Sequence, residues 1–215
     1  MRKIKAVIFD LDGVICSTDE YHYLAWKTLA KDLNIYFDRA INNRLRGVSR
    51  MESLEIILER YTGPVLSISQ KEELAEKKNR IYRDSLRRMS EEDIPLHVKQ
   101  CLKVLRGQGL KLAIGSSSKN AGTILKQIRL DCFFDVVVDG TCIQHSKPHP
   151  EIFLKAAEEL GFAPEECLVV EDSAVGVVAG HAGGFSVACL GDAAQNALGD
   201  YNMESICELL SIVEK

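Results

Sequence analysis

Ala6-Val7-Ile8-Phe9-Asp10-Leu11-Asp12-Gly13-Val14 is the stretch on which the fold of this chain turns. Its apolar start reads as a buried strand. A buried strand has little reason to end in two carboxylates. Residues i and i+2 of an extended chain point the same way, so Asp10 and Asp12 can face one site just beyond the strand. Two close negative charges repel unless a proton or a cation lies between them. One carboxylate of such a pair can act as nucleophile or metal ligand while its neighbour handles protons. Asp-Gly is also an ordinary turn signal, and only residues further along the chain lift the pair above it.

From Pro95 onward, short apolar runs alternate with helical periodicity. Residues 110–114, 136–138, 167–170 and 186–190 read as strands. Residues 97–105, 120–128, 150–160 and 173–181 read as helices, the third closed by Gly161. This rhythm implies a parallel sheet covered on both faces. Between residues 19 and 89 no strand is expected. Residues 19–33 have helical spacing. Ser49-Arg50-Met51-Glu52 reads as a capping box for a helix to about Arg60, and Ser69-Gln70-Lys71-Glu72 as one for a long helix toward Met89. Lys77, Lys78, Arg80, Arg83, Arg87 and Arg88 of that helix read mostly as a solvated face. The expected fold class is therefore α/β: a Rossmann-like parallel core of residues 1–16 and 91–215, with an all-helical cap of residues 17–90 inserted. Hinges near residues 16–18 and 90–93 would make that cap a lid.

The chain has 215 residues, 46% of them apolar, enough for one core with a modest insertion. A net charge of −4 argues against nucleic acid or an anionic membrane as the main partner. Seven scattered cysteines without a C-x-x-C pair read as small buried hydrophobes in a reducing compartment. The basic start, Arg2-Lys3-Ile4-Lys5, leads into an apolar run that Asp10 breaks too early for a signal-peptide core. No stretch approaches the ~20 apolar residues of a membrane span. A cytoplasmic monomer acting on small molecules is expected.

Polar clusters follow three of the strands, and a fourth precedes a helix. They are Asp10-Leu11-Asp12-Gly13, Gly115-Ser116-Ser117-Ser118-Lys119-Asn120, Glu171-Asp172-Ser173 and His145-Ser146-Lys147-Pro148-His149-Pro150. In open parallel sheets ligands bind beyond the carboxyl ends of the strands. Each cluster alone could be capping or surface. Together they suit phosphoryl transfer: Asp10, Asp172 and Glu171 offer oxygens for magnesium, Ser116 and backbone N–H groups suit phosphate, and Lys147 supplies a positive charge. In the helical segment, Trp26 reads as packing and His22 as structural. Arg50 at a helix start is electrostatically awkward, which favours an anion in front of it.

On these residues the chain resembles the haloacid dehalogenase superfamily of aspartate-nucleophile phosphotransferases. The likeness covers nearly the whole chain. Glu20-Tyr21-His22 with Trp26, Arg46-Gly47-Val48-Ser49-Arg50 with Ser53 and Leu54, and Lys77-Lys78-Asn79 resemble cap segments of its sugar-phosphate mutases. The resemblance implies that Asp10 becomes an aspartyl-phosphate and binds Mg2+. It implies that Asp12 is the general acid and base and lends its carbonyl to the metal, and that Asp172 and Glu171 complete the metal site. Thr18 and Lys147 would assist transfer, while Ser116, Ser117, Ser118, Lys119 and Asn120 surround phosphate. Arg50 would grip a distal phosphate, with His22, Trp26, Arg46, Gly47, Val48, Ser53 and Lys78 at the substrate. Ser17, Arg46 and Ser117 depart from the Asp, Lys and Ala usual there. The implied reaction interconverts β-glucose 1-phosphate and glucose 6-phosphate. A sugar-phosphate phosphatase and a catalytically silent binding protein are its rivals.

Overall fold

A computed structural model describes residues 3–45 and 48–214. The chain divides into two units, Met1–Ser17 with Met89–Lys215, and Thr18–Arg88.

The first unit is built on a six-stranded parallel sheet. Its strands are β1 (Ala6–Phe9), β2 (Lys111–Gly115), β3 (Val136–Val138), β4 (Cys167–Glu171), β5 (Ser186–Cys189) and the two-residue β6 (Tyr201–Asn202). Their order in space is β3-β2-β1-β4-β5-β6, every pair parallel. Ala6, Val7, Ile8 and Phe9 are fully buried. Both faces of β1 are covered, so a continuous apolar run rather than an alternating one is the stable choice. The helix α7 (Glu151–Leu160) packs across β3, β2 and β1. It buries Ile152, Phe153, Ala156 and Ala157 on one stripe, and Gly161 closes it at φ +77°. Ile8, Ala113, Val138, Phe153, Val169 and Val187 share one core cluster. In the same unit, α5 (Leu96–Gly107) precedes β2, α6 (Ala121–Gln127) lies between β2 and β3, and α8 (Ala174–Ala182) follows β4.

In the second unit, α1 (Asp19–Asp32) and α3 (Arg50–Leu58) pack on the long α4 (Ile68–Leu86). Its core gathers Tyr23, Trp26, Leu29, Ile35, Phe37, Ile41, Leu54, Ile57 and Ala75. A short helix α2 (Arg39–Asn43) was not expected. Asp38 starts it, its side chain accepting the Ile41 N–H at 2.9 Å.

Three expectations are corrected. The cap of α4 is Ser67, not Ser69: the Ser67 hydroxyl accepts the Gln70 N–H, and the Gln70 side chain accepts the Ser67 N–H. Two overlapping capping boxes compete there, and the earlier one adds half a turn of helix. Lys78 is buried rather than solvated. It falls on the Ala75, Lys78, Asn79, Tyr82, Leu86 stripe, which is the buried face of α4. Of the seven cysteines, Cys16, Cys101, Cys167 and Cys189 are buried as expected, whereas Cys132, Cys142 and Cys207 are exposed. Among the described residues, no helix is long and apolar enough to cross a membrane.

Candidate active site

The centre of the sheet places the acidic residues. Phe9 is in register with Ile114 on one side and Val170 on the other. One residue further, the Asp10 N–H donates to the Val170 carbonyl at 2.9 Å, and Asp10 comes level with Glu171 at the end of β4. The chain then turns: the Asp12 N–H donates to Asp10 Oδ2 at 3.0 Å, and Gly13 takes φ +86°. A Cβ at Gly13 would collide with the Asp172 carboxylate. A glycine is thus needed for the turn and for the approach of Asp172.

Lys147 comes from the loop before α7. Its Nζ donates to Asp10 Oδ1 and to Glu171 Oε1, both at 2.5 Å, and lies 4.7 Å from the centre of the Phe153 ring. The side chains of Lys147, Asp10 and Glu171 are 6%, 12% and 1% exposed, so the ammonium bridges two carboxylates out of water. The other oxygen of Glu171 accepts from the Asp172 N–H, the Ser173 N–H and the Ser173 hydroxyl, at 2.9, 3.0 and 2.9 Å. A Cβ at Gly176, on the first turn of α8, would run into that same carboxylate.

These positions set the electrostatics. Burial raises Asp10, and Lys147 pulls it back only in part, leaving its pKa at about 7. Burial and the charges of Asp10, Glu171 and Asp12 push Asp172 up to about 8. Burial works against the Lys147 ammonium, yet the charges of Asp10 and Glu171 outweigh it and hold its pKa above the usual lysine value. Asp10, Asp12 and Asp172 thus form an oxygen-only, mutually repelling set beside the Lys147 ammonium. That donor chemistry fits Mg2+, whose charge would displace the protons held on Asp10 and Asp172. Glu171 suits it least, since its Oε2 already accepts three hydrogen bonds and its Oε1 the Lys147 ammonium, whereas each Asp10 oxygen accepts one.

Beyond β2, Ser116 is buried, and its hydroxyl accepts the Ser118 N–H at 3.2 Å. The Ser118 hydroxyl accepts the Asn120 N–H at 3.2 Å, and Ser117 Oγ is buried without a hydrogen-bond partner. Lys119 is exposed. This loop follows the strand adjacent to β1, so three neighbouring strand ends bring Asp10, Ser116, Glu171 and Asp172 to one end of the sheet.

In the second unit Thr18 stands at the N-cap of α1. Lys78 Nζ donates to His22 Nδ1 at 2.8 Å and lies over the rings of Trp26 and Tyr82, at 4.5 and 4.9 Å. Burial first, then the Lys78 and Arg50 charges, hold His22 well below the ordinary histidine value, so it accepts this bond as a neutral ring. Ser53 is buried on α3, Val48 is exposed, and Arg50 pairs with Glu76 at 3.4 Å. Arg46 and Gly47 lie outside the described residues. The sequence reading placed Gly13 and Ser173 in its polar clusters without giving them a role, and it missed Gly176 and Phe153. A glycine on the first turn of a predicted helix, three residues after Ser173, was the available signal for Gly176.

A profile of the haloacid dehalogenase-like hydrolases matches residues 4–184. A β-phosphoglucomutase from Bacillus subtilis is 42% identical over 182 residues, covering 82% of this chain and 78% of that one. A phosphorylated carbohydrates phosphatase from Thermotoga maritima is 31% identical, covering 85% and 82%. The crystal structure of a β-phosphoglucomutase from Clostridium difficile superimposes with a TM-score of 0.88 at 34% identity, covering 98% of this chain and 96% of that one.

Proposed function

We propose, from the premise that this chain belongs to the haloacid dehalogenase-like hydrolase family, that it interconverts β-D-glucose 1-phosphate and D-glucose 6-phosphate. Phosphorus would be carried on Asp10, with a glucose bisphosphate as intermediate. The observation that supports this most is the Lys147 ammonium bridging Asp10 and Glu171, with Asp12 and Asp172 beside it. A buried carboxylate near pH 7 in its proton affinity becomes an available nucleophile once its neighbours carry compensating charge. Lys147 neutralises the incoming phosphoryl oxygens without moving far, which is electrostatic preorganisation. Asp12, two residues on, delivers a proton to the leaving sugar oxygen or removes one from the attacking hydroxyl. Mg2+, held by the Asp10 and Asp172 carboxylates and the Asp12 backbone carbonyl, would supply further neutralisation of phosphate charge. Ser116, Ser118, Lys119 and Asn120 receive the phosphate oxygens. In the second unit, Arg50 takes the distal phosphate, and His22 and Lys78 support substrate binding. Residues 17–90 act as the lid that keeps water from the acyl phosphate.

A second reading, hydrolysis of a sugar phosphate, is favoured by the 31% identical phosphatase relative. A coupled assay separates the two. With β-glucose 1-phosphate, Mg2+ and a catalytic amount of bisphosphate, glucose 6-phosphate should form far faster than free phosphate is released. Release of phosphate at the same rate as substrate loss would establish the phosphatase. Asp10→Ala should reduce either activity by at least about 10⁴-fold, as expected for loss of a covalent nucleophile. Substantial turnover by a clean preparation of that variant would rule out phosphorus carried on Asp10.

A further inference from the structure

Away from the acidic centre, three potential metal ligands converge on the loop that carries Lys147. His145 and His149 stand two residues before and after it, and Glu151 is the first residue of α7. One ligand atom from each lies within 4.8 Å of the other two. Glu151 Oε2 is 3.0 Å from His145 Nδ1 and 3.9 Å from His149 Nδ1. Ligand atoms on a tetrahedral zinc at about 2.0–2.1 Å are about 3.4 Å apart, a value that those two separations bracket. The imidazole rings lie 4.7 Å apart, tilted by 36°.

The carboxylate is held in place before any ion arrives. Glu151 Oε1 accepts the Gln144 N–H at 2.8 Å, and Oε2 accepts the His145 N–H at 2.9 Å. Glu151 Oε1 keeps a further lone pair, whereas Oε2 also faces His145 Nδ1 at 3.0 Å and His149 Nδ1 accepts the Glu151 N–H at 3.3 Å, so an ion seated on those nitrogens replaces both bonds. Both imidazoles are more than half exposed, so water or an outside ligand can fill the remaining coordination positions. Two imidazoles and one carboxylate suit the borderline first-row ions and suit Mg2+ poorly.

We propose that His145, His149 and Glu151 form a surface site for a borderline divalent transition metal, zinc foremost, separate from the acidic centre around Asp10. An ion held by both histidines ties together the two ends of a five-residue segment centred on Lys147. Its occupancy therefore restrains the loop that aims the ammonium at Asp10 and Glu171.

The test is a zinc titration of untagged, full-length protein against a chromophoric chelator, with saturating Mg2+ and a phosphine reductant present. The expected result is one zinc per chain, with affinity about 10- to 100-fold weaker in His145→Ala and in His149→Ala. Cys142→Ser, which removes an exposed thiol on the same loop, should bind as the parent does. Thermal unfolding of each variant checks that these exposed replacements leave the fold intact. Undiminished binding by the double variant His145→Ala/His149→Ala would overturn the proposal. So would zinc that is lost only in Cys142→Ser or only in Asp172→Asn, since it would then sit on the thiol or in the acidic centre.

Discussion

Gly13 shows how much one missing methyl can carry. It holds a positive φ, and any Cβ there would occupy the place of the Asp172 carboxylate. Gly13→Ala should lose stability by about 1–2 kcal/mol from the left-handed backbone alone. It should weaken Mg2+ binding as well, because Asp172 must move. Titration calorimetry with Mg2+ checks the second effect, and parent-like affinity would contradict this role for Gly13. Asp172 itself imposes a pH dependence. Its folded pKa of about 8 lies above the ordinary carboxylate value, so the folded protein binds a proton that the unfolded chain releases. Without metal, stability must therefore fall as pH rises through the interval that ends near 8. Asp10, at about 7, acts in the same direction. His22 acts in the opposite direction, but only below its ordinary value of 6.5. Between pH 6.5 and 8 the carboxylates dominate. The metal-free melting temperature should drop across that window, less so in Asp172→Asn, and Mg2+ should raise it most at the upper end. A flat profile for the metal-free parent would refute the raised pKa values. The grouping of Asp10, Lys147, Glu171 and Asp172 was legible in the sequence because each stands at a strand end or helix start. The division of labour was not: that Glu171 is saturated by Lys147 and the Ser173 donors depends on distances no spacing encodes.

Elements were legible where burial dictates period and obscure where polar side chains decide boundaries. All four residues of β1 are buried, and the run announced itself. The α4 helix shows the opposite case. Its start depends on which of two serines receives an N–H bond, and its buried stripe includes a lysine that a count of charges assigns to solvent. Ser67→Ala should destabilise the second unit by about 1 kcal/mol through the lost cap, while Ser69→Ala should change little. Chemical denaturation of the two variants checks this, and equal effects would return the cap to Ser69. The short α2 and the two-residue β6 were invisible in the sequence because so few residues give no period to detect.

For the molecule as a whole, the α/β class and the helical insertion follow from where strand-like runs are absent, namely between residues 19 and 89. The order of the strands carries a further consequence. The earliest strand in the chain sits at the middle of the sheet, between partners that begin at Lys111 and Cys167. Contacts between such distant segments form slowly, because long loops must close first. Thr18–Arg88, whose helices are contiguous, has no such delay. In pulse-labelled hydrogen exchange during refolding, amides of α1 and α4 should gain protection before those of Val7 and Ile8. Simultaneous protection would contradict this order. On the ribosome the difference becomes a hazard. Val7, Ile8 and Phe9 leave the exit tunnel long before the strand that closes their second edge is translated. For the time needed to synthesise about 160 residues, the nascent chain offers a sticky, unpaired β-segment, an evident client for a chaperone.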